Sequence, residues 1–166
     1  MSFVDDLRNA KNANEVTYFR GGLPFSAQWS DLVEYREKAN HNREVRWDNP
    51  NLSITFEIPG SPLLTQFDWF NPYRDALIEV WGDYVWDEPA TIMSSVMGDN
   101  SGLGTHSDIC QQIHWNLIGY TLWEVGNKTF LMNPGDVIFI PTAEPHSVRS
   151  LSAPRAVIAY SIKNEL

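Results

Sequence analysis

The sequence predicts a mainly β protein: one barrel or sandwich, with helices packed against it from the N-terminal side. Three observations carry that expectation. From Ala90 onward, short apolar stretches alternate with turn-forming breaks at Gly98-Asp99-Asn100-Ser101-Gly102, Gly119, Gly126-Asn127, Asn133-Pro134-Gly135 and Ala153-Pro154. Many short strands at regular spacing favour a sandwich or barrel over a layered α/β fold. Before Ala90 the texture is mixed, with helical periodicity in two stretches and strand-like alternation in one. No Pro-, Gly- or Ser-rich linker separates the halves, so residues 1–166 are expected to form a single domain. Residues 1–89 form its mixed helical and strand part, packing on the barrel, and residues 90–166 its core β-barrel.

The elements follow in order. Phe25 to Lys38 carries Phe25, Trp29, Leu32, Val33 and Tyr35 at helical spacing, with Ser26 or Ser30 available as a cap. Leu52 to Ile58 alternates, placing Leu52, Ile54, Phe56 and Ile58 on one face of a strand that ends at Pro59-Gly60. Asn71-Pro72 opens a second helix, with Pro in its first turn and Leu77, Ile78 and Trp81 spaced for one buried face. Strands are then expected at Ala90–Met97, Gln111–Ile118, Tyr120–Val125, Thr129–Met132, Val137–Ile140, Ser147–Ser150 and Ala156–Ile162. Successive strand residues point to opposite faces. In Gln111–Ile118 this puts Gln112, His114 and Asn116 on a polar face suited to a cavity, and Ile113, Trp115 and Leu117 on an apolar one suited to outer packing. The aromatic segment Phe67 to Tyr73 is read as helix-to-barrel packing rather than a lid.

Composition bounds the function. The chain has 166 residues, 43% of them hydrophobic and 20% charged, the balance of an ordinary globular protein with room for a sizeable core. Its formal net charge is −9. Affinity for nucleic acid comes largely from neutralised phosphates, so an acidic chain is a poor candidate for bulk nucleic-acid binding. The cations Arg36, Lys38, Arg43 and Arg46 are interleaved with Glu34, Glu37, Glu44 and Asp48 and read as a solvated helix face and loop. The single cysteine, Cys110, permits no intrachain disulfide and reads as a small core residue. No apolar run approaches the roughly 18 residues of a spanning helix, and the N-terminus lacks the apolar core of a signal peptide. A cytoplasmic location without membrane contact is the expectation. Exposed strand edges raise a homodimer as a further one.

Chemistry concentrates in two segments. Gly104-Thr105-His106-Ser107-Asp108 holds a His-x-Asp pair, and Pro134 to Val148 ends a buried apolar run at His146. Residues i and i+2 of an extended segment point to the same side, so one segment delivers both His106 and Asp108 to a point. His146 returns from a distant strand. Two imidazoles and one carboxylate form the set that holds non-haem Fe(II) and leaves positions open for other ligands.

The region from Gly104 to Ile162 resembles the cupin, or double-stranded β-helix, superfamily, and in particular its Fe(II)/2-oxoglutarate-dependent oxygenase branch. The first cupin motif reads here His106-x-Asp108, then Gln112 and Gly119, with Asp108 where the second His stands and Gln112 where the Glu stands. The second motif reads Pro134-Gly135-Asp136, Pro141, His146 and Val148. The resemblance implies a jelly-roll barrel with N-terminal flanking helices, His106, Asp108 and His146 as metal ligands and catalytic centre, Fe(II) and 2-oxoglutarate as cofactors, and a dioxygenase that hydroxylates a small-molecule or peptide substrate. It also implies a cation for the far carboxylate of 2-oxoglutarate. In the prolyl-hydroxylase-like branch this is an Arg on the last strand, where Arg155 stands. The JumonjiC-like branch uses a Lys at the position filled here by Thr121, which favours Arg155 over a JumonjiC-type arrangement. Arg149 is the competing cation. Asn116, Tyr120 and Thr121 are the further candidates for contacting the cosubstrate. A cupin of other chemistry and a non-catalytic metal- or ligand-binding cupin are the competing expectations.

Overall fold

The computed structural model describes residues 2–22, 27–41, 46–48, 55–58, 68, 70–82, 91–95, 104–152 and 154–162. Among the described residues three helices and ten strands run in the order α1 (Phe3–Ala13), β1 (Thr17–Phe19), α2 (Trp29–His41), β2 (Arg46–Asp48), β3 (Thr55–Ile58), α3 (Asn71–Trp81), β4 (Thr91–Ser95), β5 (Gln111–Ile118), β6 (Thr121–Val125), β7 (Lys128–Met132), β8 (Val137–Ile140), β9 (His146–Ser150) and β10 (Arg155–Ile162). The strands form a seven-stranded sheet in the order β1-β8-β5-β10-β4-β3-β2 and a three-stranded sheet in the order β7-β6-β9. Every recorded pairing is antiparallel.

Strand parity separates two cores. Ile113, Trp115 and Leu117 of β5, Val137 and Phe139 of β8, and Ile158, Tyr160 and Ile162 of β10 face one side. Leu7 and Ala10 of α1 and Tyr73, Ala76, Leu77 and Trp81 of α3 cover them. Tyr73 is the anchor: its ring lies 4.9 Å from that of Trp115 and its hydroxyl donates to the Ile113 carbonyl at 3.1 Å. Burying such rings removes large apolar areas from water, and the hydroxyl stays satisfied. The other face of the same strands presents Ile138, Ile140 and Val157, which meet Trp123, Val125, Met132 and Val148 of the small sheet. The space between the sheets is therefore the barrel interior. Gln112, His114 and Asn116 face it, as alternation predicts.

Helix α1 is absent from the expected elements, although Phe3, Leu7 and Ala10 stand at helical spacing. A polar signal marks its start: Ser2 and Asp5 form a capping box, with the Ser2 side chain accepting from the Asp5 N–H and the Asp5 carboxylate accepting from the Ser2 N–H. The N-terminal part also does more than pack on the barrel. Strand β1 pairs with β8, and β3 pairs with β4, so residues before position 90 supply three of the seven large-sheet strands. In α3 the buried face is Tyr73, Ala76, Leu77 and Trp81, while Ile78 is 37% exposed, a correction to the expected face. In α2 Leu32 is buried, Val33 is exposed, and Ser30 lies inside the helix rather than capping it. Leu52, Ile54, Ser26, Phe67 and Trp69 fall outside the described residues. Phe70 and Tyr73 sit in the core, so that part of the aromatic segment is packing.

Candidate metal centre

The ligand segment and β9 meet backbone to backbone. His106 N–H donates to the His146 carbonyl at 2.9 Å and His146 N–H donates to the His106 carbonyl at 2.8 Å, an isolated antiparallel bridge. Ala143 N–H donates to the Asp108 carbonyl at 2.9 Å. These three bonds draw the two sequence-distant segments together, and one ligand atom from each of His106, Asp108 and His146 lies within 4.8 Å of the others. The imidazole rings of His106 and His146 are 4.4 Å apart, and His146 Nε2 stands 3.4 Å from Asp108 Oδ2.

Both imidazoles are oriented by the backbone. His106 Nδ1 lies 3.0 Å from the Gly104 carbonyl and His146 Nδ1 lies 3.0 Å from the Glu144 carbonyl. A carbonyl only accepts, so each Nδ1 carries a proton, and each Nε2 is the nitrogen that would offer its lone pair once a metal displaces any proton there. Fixing the tautomer through the second ring nitrogen is how metal-binding histidines are prepared. Electrostatics agree with a cation-ready site. The hydrogen bond with His146 holds the Asp108 carboxyl below its usual range despite partial burial. Burial opposes protonation of His146, but the hydrogen bonds with Asp108 and Glu144 outweigh it and raise its pKa. Without a cation the carboxylate and the imidazole thus bind each other's charge.

Behind the triad the barrel interior is polar and largely self-satisfied. Trp123 Nε1 donates to Thr121 Oγ1 at 3.1 Å, and Thr121 Oγ1 donates to Asn116 Oδ1 at 3.2 Å. Asn116 Nδ2 donates to the Gly119 carbonyl at 2.7 Å. Gln112 and Ser161 bond each other across β5 and β10. Gly119 permits the tight β5–β6 connection: its φ is +73°, and a Cβ there would lie 2.6 Å from the Pro154 carbonyl oxygen.

Two interior side chains contrast with this. Arg155 is 2% exposed, and its Nε and Nη1 meet no hydrogen-bond partner among the described residues. Burial pushes its pKa down to about 10. His114 is 4% exposed with both ring nitrogens unpartnered among the described residues. Buried polar groups without partners are rare and point to a place for a ligand. A buried guanidinium in the same barrel as a two-His-one-carboxylate set suits a carboxylate, so these residues fit a metal and a dicarboxylic acid.

The structure thus brings together His106, Asp108 and His146, and places Asn116, Thr121 and Arg155 in the interior. Tyr120 it does not: that side chain is 50% exposed on the β5–β6 turn, a correction. The turn displaces it from strand parity, since β6 begins at Thr121. Arg149 points outward and is exposed. Cys110 is buried, accepts from Gln112 Nε2 at 3.2 Å, and burial raises its pKa, as fits a core residue. The role of Asp136, read from sequence only as part of a turn, was missed. It is 2% exposed and accepts from Tyr18 Oη at 2.6 Å, Gly21 N–H at 2.6 Å and Asn133 N–H at 2.7 Å, tying β1 to the β7–β8 turn. A cleft of about 620 Å³ lies between α1 and the β1–Gly22 segment, lined by residues such as Asp6, Asn9, Tyr18 and Arg20, none of them in the triad.

No protein-family profile and no curated protein sequence matches the chain. Solved structures do. YcfD of E. coli superposes with a TM-score of 0.66 at 14% sequence identity, covering 92% of this chain and 50% of that one. YcfD described as a ribosomal oxygenase in complex with cobalt and 2-oxoglutarate gives 0.61 at 15% identity, covering 92% and 48%. Its complex with cobalt and succinic acid gives 0.63 at 14% identity, covering 92% and 49%. The chain spans about half the length of YcfD. At such identity the likeness is one of fold alone: the chain shares the double-stranded β-helix fold of YcfD, and it carries a His-Asp-His cluster that could hold a metal ion.

Proposed function

We propose that the chain is an Fe(II)- and 2-oxoglutarate-dependent dioxygenase that hydroxylates a small molecule or a peptide or protein side chain. The observation that carries this reading is Arg155. A buried cation with two nitrogens unpartnered among the described residues is costly unless something meets it, and it stands in the same barrel as the triad. His106 and His146 through Nε2, and Asp108 through its carboxylate, would hold the metal. Arg155 would receive the far carboxylate of 2-oxoglutarate in a bidentate, charge-assisted contact. When bound, Fe(II) with 2-oxoglutarate supplies oxidation of an unactivated C–H bond with release of succinate.

This chain's own residues orient and exclude. The Gly104 and Glu144 carbonyls hold the imidazoles, and Asp108 supplies one negative charge rather than a third neutral ring. The linked Asn116, Thr121 and Trp123 form a fixed wall that offers few competing donors; Thr121 and Asn116 are proposed as neighbours of the cosubstrate, not its anchors. The apolar residues Ile138, Ile140, Val148 and Val157 keep the space around the site dry. YcfD, similar in fold, is known in complex with cobalt and 2-oxoglutarate, which supports the same cofactor pairing here. The net charge of −9 argues against bulk nucleic acid as the substrate, and a homodimer and a cytoplasmic setting remain part of the proposal. Among the described residues no helix is long and apolar enough to cross a membrane. The test is succinate release from 2-oxoglutarate with Fe(II), ascorbate and O₂, with and without candidate substrates. Absence of both turnover and anaerobic 2-oxoglutarate binding would overturn the reading.

A further inference from the structure

His114 has no assigned task in the site described above, yet its placement is specific. It lies on β5 between the side chains of Gln112 and Asn116, both of which are hydrogen-bonded. Its ring is 4.4 Å from that of Trp123 and 6.2 Å from that of His146. Trp123 is pinned in turn by its bond to Thr121, so the imidazole packs on a fixed surface. Directly opposite on β10 stands Ala159, whose small side chain cannot fill the interior at that level. The charges of Asp108 and of Arg155 are both felt at His114, in opposite directions.

A neutral imidazole has one donor and one acceptor nitrogen. Here both are buried and unpartnered among the described residues. Burial lowers the pKa to about 3, so the ring stays neutral and keeps a ring N–H to give. His114 lies outside the cluster of groups whose ligand atoms converge, so it is not placed as a fourth metal ligand. His114 thus lies in the interior it shares with the triad and Arg155, its ring 6.2 Å from that of His146.

We propose that His114 is a positioning residue that donates a ring N–H to the triad-side carboxylate of 2-oxoglutarate, while Arg155 takes the far carboxylate. The inference rests on the function proposed above. It makes the two unpartnered interior groups a matched pair, one at each end of a dicarboxylic acid. The second ring nitrogen is left to accept from water or substrate.

The experiment uses the full chain loaded anaerobically with Zn(II), which is diamagnetic and does not turn over. Ring-nitrogen NMR of wild-type protein is recorded with and without 2-oxoglutarate. In parallel, calorimetry gives the affinities of wild type, His114→Phe and His114→Asn for Zn(II) and for 2-oxoglutarate. The expected results are a shifted His114 ring N–H on adding 2-oxoglutarate, an affinity weakened about tenfold or more in His114→Phe, partial recovery in His114→Asn, and Zn(II) affinity unchanged in both. The split between cosubstrate and metal, and rescue by a residue that restores an N–H, are not effects of packing alone. If wild type binds 2-oxoglutarate but the His114 resonances do not move, the inference is wrong even should His114→Phe fail to fold. Equal 2-oxoglutarate affinity in wild type and His114→Phe overturns it as well. If wild type binds no 2-oxoglutarate, the proposed function falls, and this inference with it.

Discussion

Arg155→Met separates the stability of this barrel from its proposed chemistry. Arg155 is 2% exposed and its pKa falls from 12.5 to about 10 because burial disfavours the cation. A depression of that size corresponds to about 3 kcal/mol against the charged side chain. Both folded and unfolded values lie far above neutrality, so this cost is present in full at any ordinary pH. No described hydrogen bond from Nε or Nη1 offsets it. Methionine nearly matches the apolar stem and carries no charge, so Arg155→Met should leave the ligand-free protein as stable as wild type or raise its stability by up to about 3 kcal/mol. Most core substitutions do the reverse. The same change should weaken 2-oxoglutarate binding by about ten- to hundredfold, the worth of a bidentate charge-assisted contact of about 1.5–3 kcal/mol. Urea unfolding of the Zn(II)-loaded protein measures both effects. Saturating 2-oxoglutarate, at about 100 times the dissociation constant, should add about 2.7 kcal/mol to wild type and far less to the variant. A ligand-free loss above about 1 kcal/mol would mean that Arg155 is a structural cation. Wild-type affinity for 2-oxoglutarate in the variant would place the anchor elsewhere, with Arg149 next in line.

Other substitutions test the remaining steps. His106→Ala, Asp108→Ala and His146→Ala should each abolish tight Fe(II) binding with the far-UV circular dichroism little changed; metal content after gel filtration decides, and a variant that keeps wild-type affinity excludes its residue as a ligand. Asp108→His should retain metal but lose succinate production, because the carboxylate sets the charge of the site; robust turnover would refute this. Asp136→Asn should destabilise the protein by about 3 kcal/mol, since three short hydrogen bonds converge on its carboxylate. The Asp136 pKa is lowered on folding, because bonds from Tyr18, Asn133 and Gly21 outweigh its burial. Its contribution is therefore present above the unfolded aspartate pKa and is lost as pH falls through the lower folded value. In wild type the stability should drop across that acid range, and in Asp136→Asn the drop should be smaller, as read by urea titrations at stepped pH.

The legible parts of this chain are those where one local rule decides. Alternation and turn residues place β5 and β8 to the residue, and β6, β7, β9 and β10 within one residue. The same alternation separates the His114 face from the Trp115 face of β5. The His-x-Asp spacing and the approach to His146 identify three residues that do converge. What the pattern does not reveal depends on sequence-distant partners. Helix α1 is only 11 residues long with few apolar side chains, so Phe3, Leu7 and Ala10 at helical spacing need the Ser2–Asp5 cap beside them to declare it. Strand β1 is three residues long and exists because β8 offers an edge. Asp136 looks like any turn aspartate until Tyr18 and Gly21 are brought to it from more than a hundred positions away.

The same distinction explains why Tyr120 lies on the surface and its neighbour Thr121 in the interior. Parity counts only within a strand, and Gly119, at positive φ, resets the count between β5 and β6. Tyr120 then falls on the turn, while Thr121 opens β6 and points inward. Once inside, Thr121 is engaged by Trp123 and Asn116. A small hydroxyl there could not balance the far carboxylate of the proposed cosubstrate, so a cation would have to come from another strand. The last strand provides it: β10 pairs with β5, Val157 faces inward opposite Asn116, and Arg155 lies two residues further on the same face. The ten-strand topology thus lets Arg155 occupy the end of the barrel that Thr121 leaves uncharged, and its burial without a described partner for two of its nitrogens is the physical reason to look for an anion there.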